Sequence, residues 1–270
     1  MIDPATIDYS MLDRPEVLRF LFHPRPEPDG ASPPREARDA GIPVERDVEV
    51  GARFHMAQSG APNLLFFHGN GEIVADYDEL GPVYNRLGIN FMAVDYRGYG
   101  RSSGSPTVTS MMRDAHAIFR FVRDWLKEGG YTGPLILMGR SLGSASVLEI
   151  AHHYGERVDG LIVESGFAYA RPLLRLLGID PEAVGFREEE GFRNVDKIRS
   201  FRNPTLVIHA ERDHIIPFSD GKALYEACGA ADKSLLKIPE ANHNDIFLRA
   251  LSQYLTAVKG LADRALARLS

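Results

Sequence analysis

The stretch "PLILMGRSLGSASVLEIAHHY", residues 134–154, decides the fold. Its opening is apolar enough for a buried strand, and its close reads as a helix. Between them, Gly139, Ser141 and Gly143 make the pattern Gly-x-Ser-x-Gly. A strand that turns sharply into a helix with serine at the apex is a nucleophile elbow. The flanking glycines are needed because the strained turn brings neighbouring elements too close for side chains. The same pattern occurs at residues 100–104, "GRSSG". There the chain is already loop from Tyr96, Pro106 follows, and the next helical pattern starts only near Thr109. Ser141 therefore reads as a nucleophile and Ser102 as a loop residue.

Working outward, strand and helix patterns alternate. "NLLFFHG" (63–69) reads as a buried strand, with a helix near 76–87. "NFMAVDY" (90–96) is the next strand, and residues 109–127 carry Met112, Ala115, Ile118, Phe119, Val122 and Leu126 at helical spacing. "DGLIVES" (159–165), "PTLVIHA" (204–210) and "SLLKIPE" (234–240) read as further strands. "VERDVEV" (44–50) and "RFHMAQ" (53–58) read as two antiparallel strands at the start. About eight strands result, in a mostly parallel sheet with helices on both faces. Residues 1–43 read as a leader packed on this core, broken by Pro24, Pro26, Pro28, Gly30, Pro33 and Pro34 beyond a short helical "PEVLRFLF". Residues 44–270 form the domain, with a lid-like or cap-like insert at about 165–203 whose "RPLLRLLGI" and "VDKIRSF" look helical.

A serine hydroxyl needs a base and a group that orients the base. In this architecture the order along the chain is Ser, then acid, then His. His152 and His153 sit on the helix after the elbow, His209 lies within a strand, and His214 adjoins the best acid. His243, in "EANHND" between the last strand and the last helix, fits the base. Asp213, in "HAERDHIIP" just past a strand end, fits the acid, since parallel sheets place sites at the carboxyl ends of their strands. Glu164, also at a strand end, is its rival. The oxyanion needs two backbone N–H groups. Leu142 after the nucleophile supplies one, and Asn70 in "HGNG" the other.

Together, "FFHGNGE", "VDYRGYGRS", "GRSLG", "HAERDHIIP" and "ANHND" resemble the α/β-hydrolase superfamily over residues 44–268. Within it the chain looks most like the Bem46-like serine hydrolases, which include protein depalmitoylases. That resemblance implies hydrolysis of an ester, a thioester or an amide through an acyl-enzyme on Ser141, with no cofactor. Asp95 and Arg97 look like structural members of the pattern. A serine at the elbow sets the chain apart from dehalogenases and epoxide hydrolases, which use aspartate there. Peptidases, perhydrolases and non-catalytic binding proteins share the fold and remain alternatives.

In the insert, Phe167, Tyr169, Leu173, Leu174, Leu176 and Leu177 offer an apolar wall for an acyl chain, or else simply pack the insert on the sheet. Glu188, Glu189 and Glu190, among arginines, read as a solvated face. The net charge of −6 and the lack of a basic tract argue against nucleic acid. A single cysteine, Cys228, excludes an internal disulfide framework and a cysteine-built zinc site, and no metal cluster stands out. The acidic N-terminus is no signal peptide, and "VLRFLFHP" is too short to span a bilayer, so stable membrane insertion is not expected. The expected setting is cytoplasmic and the expected substrate a small acyl ester or thioester.

Overall fold

The computed structural model describes residues 2–28 and 33–269. Gly30 of the leader lies outside the described residues. The leader carries an α-helix, α1 (Pro15–Leu21), and its Leu12 and Val17 are fully buried against the domain. A hairpin of β1 (Ala37–Glu45) and β2 (Val48–His55) follows, then β3 (Asn63–Phe67), α2 (Leu80–Arg86) and β4 (Asn90–Val94). Next come α3 (Val108–Glu128), β5 (Leu135–Arg140), α4 (Gly143–Tyr154) and β6 (Gly160–Glu164). The segment 165–204 holds α5 (Ala170–Leu176) and α6 (Asn194–Arg199). The chain closes with β7 (Thr205–Ala210), α7 (Phe218–Ala227), β8 (Lys233–Ile238) and α8 (Ile246–Ala267).

The eight strands of the described residues join one sheet in the order β1-β2-β4-β3-β5-β6-β7-β8. β1–β2 and β2–β4 pair antiparallel, and every other neighbouring pair is parallel. β3, β4, β5, β6 and β7 are buried along their whole length, because helices cover both faces of a parallel sheet. Successive residues of β5 divide between the two faces. Leu135 and Leu137 join the core under α3 and α4, whereas Ile136 and Met138 join the core under α8. The strand order turns around at β3 and β5, and ligands bind at the carboxyl ends of the strands beside such a switch.

Two expectations need correction. The first strand was expected within 44–50, but that stretch contains the hairpin turn, with Asp47 at φ 61°. β1 runs from Ala37 to Glu45 and so starts well before that stretch, and the last residues of the expected leader belong to the sheet. Gly41 and Pro43 hid it. Both are tolerated because β1 is an edge strand, and a register shift falls between Pro43 and Glu45. The run 188–190 is also more than a solvated face: the Glu188 carboxylate accepts the N–H groups of Ala170 and Arg171 at 2.6 and 3.0 Å, capping α5. Among the described residues, no helix is long and apolar enough to cross a membrane.

Candidate active site

Ser141 lies between the last residue of β5 and the first of α4, with φ 50°. That left-handed conformation is strained for a residue with a Cβ. It is held by its surroundings: the Ser141 N–H donates to the Glu164 carbonyl at 2.9 Å, and its carbonyl accepts from the Ser144 N–H and hydroxyl at 3.0 and 2.7 Å. The flanking glycines are required by close approach. A Cβ on Gly143 would overlap the Phe67 carbonyl, and one on Gly139 the Gly143 carbonyl.

Asp213 follows β7 in a tight turn. One carboxylate oxygen accepts the N–H groups of Ile215 and Ile216 at 3.0 and 2.8 Å. The other accepts from His243 Nδ1 at 2.7 Å. Burial would raise this carboxyl, but the His243 ring and the two N–H groups outweigh it and hold it below the usual range. With Nδ1–H committed to the carboxylate, His243 keeps Nε2 as its basic nitrogen. Behind the pair, burial pushes the His209 imidazole down, and its Nε2 donates to the Ile216 carbonyl at 2.8 Å, supporting the Asp213 turn. Glu164 does not hold the His243 ring. Its carboxylate takes Arg140 at 3.1 Å and the Tyr254 hydroxyl at 2.7 Å.

The loop after β3 offers the N–H groups of Gly69, Asn70 and Gly71, of which the first is spent. Gly69 donates to Glu72 Oε2 at 2.6 Å. Among the described residues, the N–H groups of Asn70 and Leu142 have no acceptor. Both residues border one cleft with Ser141. The Asn70 side chain is fixed from the leader: its Oδ1 accepts the His23 N–H at 2.8 Å and the Tyr99 hydroxyl at 2.6 Å, and its Nδ2 donates to His23 Nδ1 at 2.8 Å.

The cleft beside Ser141 has a volume of about 90 Å³. Phe167, Leu173, Leu176 and Leu177 of the insert line it, as expected positions for an apolar wall. Tyr169 and Leu174 are not among the lining residues: Tyr169 is 44% exposed, and Leu174 is buried in the core. Phe20 and Leu21 of α1 complete the wall, with Ile215 and Ile216 beside Asp213. Those four were missed. "PEVLRFLF" signalled a helix, but no local pattern says where a leader helix docks.

At the far side of α4, His116, Glu149 and His153 bring three donor atoms within 4.8 Å of one another, a spacing that could hold a metal. Glu149 is already matched there by Lys197 Nζ at 2.7 Å and the Tyr9 hydroxyl at 3.2 Å. The His116 and His153 rings and the Lys197 ammonium hold the Glu149 carboxyl far below its usual range despite burial. A divalent cation would face that ammonium, so the cluster reads as an ion network joining leader, α4 and insert.

Residues 60–180 match the family model described as serine aminopeptidase, S33. The α/β hydrolase domain-containing protein 17C of Mus musculus is 34% identical over 220 residues, spanning 79% of this chain and 64% of the relative. The protein 17B of Homo sapiens is 32% identical over 211 residues, spanning 76% of this chain and 68% of the relative. The chain therefore spans a little under two thirds of the first of these. Among solved structures, an esterase of Pyrococcus furiosus superposes with a TM-score of 0.71 at 18% identity, over 90% of this chain and 99% of that one.

Proposed function

This chain belongs to the α/β-hydrolase superfamily, and we propose that it is a serine hydrolase cleaving an ester or thioester through an acyl-enzyme on Ser141. His243 Nε2 takes the Ser141 proton as Oγ attacks the acyl carbonyl. Asp213 holds the imidazole in the required tautomer and stabilises the imidazolium. The N–H groups of Asn70 and Leu142 hold the oxyanion. His243 then returns the proton to the leaving group, and in the second half it activates the water that releases the acid.

One observation supports an acyl substrate over a peptide with a free amino terminus. The cleft beside Ser141 is lined by Phe20, Phe167, leucines and isoleucines, with no carboxylate among its lining residues to receive an ammonium group. Its volume of about 90 Å³ is small beside the roughly 300–1,000 Å³ usual for ligand pockets, so short acyl chains are favoured. A cytoplasmic setting belongs to the same reading, with buried Cys228 as a free thiol.

The test is hydrolysis of p-nitrophenyl esters of increasing acyl length by the wild type and Ser141→Ala. Turnover that vanishes in the variant and falls with chain length is the expected result. An equal rate in both proteins would overturn the assignment.

A further inference from the structure

We propose that Arg140 is a positioning residue: its guanidinium sets the histidine loop and the oxyanion loop in register with the nucleophile. The proposal rests on the serine-hydrolase reading above. Arg140 precedes Ser141, so its backbone is part of the elbow. Its side chain points to the α8 face of the sheet and is 10% exposed.

Four groups converge on it. Arg140 Nε donates to Glu72 Oε1 at 2.8 Å, and Nη1 donates to Glu164 Oε1 at 3.1 Å. Nη1 and Nη2 both donate to the His243 carbonyl, at 3.2 and 3.1 Å. Nη2 also reaches Asn244 Oδ1 at 3.4 Å. The Glu164 contact is set by the sheet, where Arg140 and Glu164 are register partners on β5 and β6.

The His243 and Glu72 contacts lead to parts assigned to catalysis. His243 is fixed at its ring by Asp213 and at its backbone by Arg140. Glu72 carries the tie onward: its other oxygen accepts the Gly69 N–H and the Tyr77 hydroxyl, both at 2.6 Å. That contact fixes the His68–Gly69 peptide, one peptide before the one that carries the Asn70 N–H assigned to the oxyanion. Burial would raise the Glu72 carboxyl, but Arg140 and the Tyr77 hydroxyl hold it below its usual range, so it stays an acceptor. Only a planar fork can serve Glu72, Glu164 and the His243 carbonyl together. A lysine ammonium keeps the charge as a single point and loses the span.

The reacting geometry tolerates little drift, since a displacement of about 1 Å costs on the order of 100-fold in rate. Arg140→Lys and Glu72→Gln should each lower kcat about 10- to 100-fold, with KM changed less than about threefold. Rates are counted per active site by fluorophosphonate titration, and folding is checked by circular dichroism and melting. A cavity of about 340 Å³ borders Arg140, Glu72 and His243, so a small cation can reach the place of a deleted side chain. Methylguanidinium should therefore restore part of the Arg140→Ala rate and none of the Ser141→Ala rate. If Arg140→Ala does not fold, Arg140→Lys and Glu72→Gln decide the matter. Folded variants with kcat within twofold of wild type, or with the loss confined to KM, overturn the proposal. If the wild type itself shows no Ser141-dependent turnover or labelling, the hydrolase reading fails instead.

Discussion

Two five-residue stretches of this chain share the pattern Gly-x-Ser-x-Gly, and they are built in opposite ways. At residues 139–143 the serine carries the strain, with φ 50°, and the glycines are there for clearance. At residues 100–104 the glycines carry it, with φ 56° at Gly100 and 76° at Gly104. Ser102 is relaxed and occupied: its Oγ accepts the Gly51 N–H at 2.9 Å, and its N–H donates to the Tyr99 carbonyl at 2.8 Å. That loop is a joint. Gly100 exchanges backbone bonds with Arg25 and Glu27 of the leader, at 2.9 and 3.2 Å. One pattern thus presents a hydroxyl to a cleft, and the other uses its hydroxyl to join a loop to β2. The difference lies in what flanks the pattern: a strand and a helix in one case, loop on both sides in the other.

The comparison breaks first at the hydroxyls. Ser141→Ala should lose on the order of 10⁴-fold or more in turnover, and Ser102→Ala should stay within about twofold of wild type in kcat. Comparable losses in the two variants, read from initial rates on one short ester, would erase the distinction. Next, Asp213→Asn should cost about 10³- to 10⁴-fold, because the amide no longer fixes the tautomer of His243. A loss below tenfold would return Glu164 to consideration as the acid.

Stability gives a smaller contrast. Ser141→Gly relieves the left-handed strain, so it should be more stable than Ser141→Ala by about 1 kcal/mol in denaturant unfolding. At Ser102 the order should reverse, since glycine there gains no strain relief and adds chain entropy. Ser102→Ala should itself cost about 1 kcal/mol, by leaving the Gly51 N–H without its acceptor.

The smallest effect is in pH. The Asp213 carboxyl is depressed in the folded state, so it contributes stability that is present above the unfolded aspartate value of about 3.9. That contribution is lost as pH falls through the lower folded value. Asp213→Asn should therefore lose less stability than wild type on acidification below about pH 4, and Ser102→Ala should follow the wild type. Parallel curves for wild type and Asp213→Asn, from urea midpoints against pH, would count against an ionised Asp213.

How much was legible follows the same division. The strand–turn–helix at Ser141, the succession of strands along the chain and the contact of Asp213 with His243 are written in local runs: "PLILMG" before a helix, "HAERDHIIP" after a strand, "ANHND" before α8. β1 was not, because Gly41 and Pro43 contradict a strand until its edge position is known. The Phe20 and Leu21 wall was not, because it depends on where α1 docks, over a hundred residues away in sequence from Ser141. From the sequence, Glu164 reads only as a carboxylate at a strand end and a rival acid to Asp213. Its partner, Arg140, lies on the adjacent strand, and only the register of β5 with β6 brings the two together.

The most direct test of the central claim is the site of covalent capture. Wild type, Ser141→Ala and Ser102→Ala are treated with a fluorophosphonate, digested and read by peptide mass spectrometry. The account predicts the adduct on the peptide bearing Ser141 in wild type and in Ser102→Ala, and no adduct in Ser141→Ala. An adduct on the peptide bearing Ser102, or one that persists in Ser141→Ala, would contradict it.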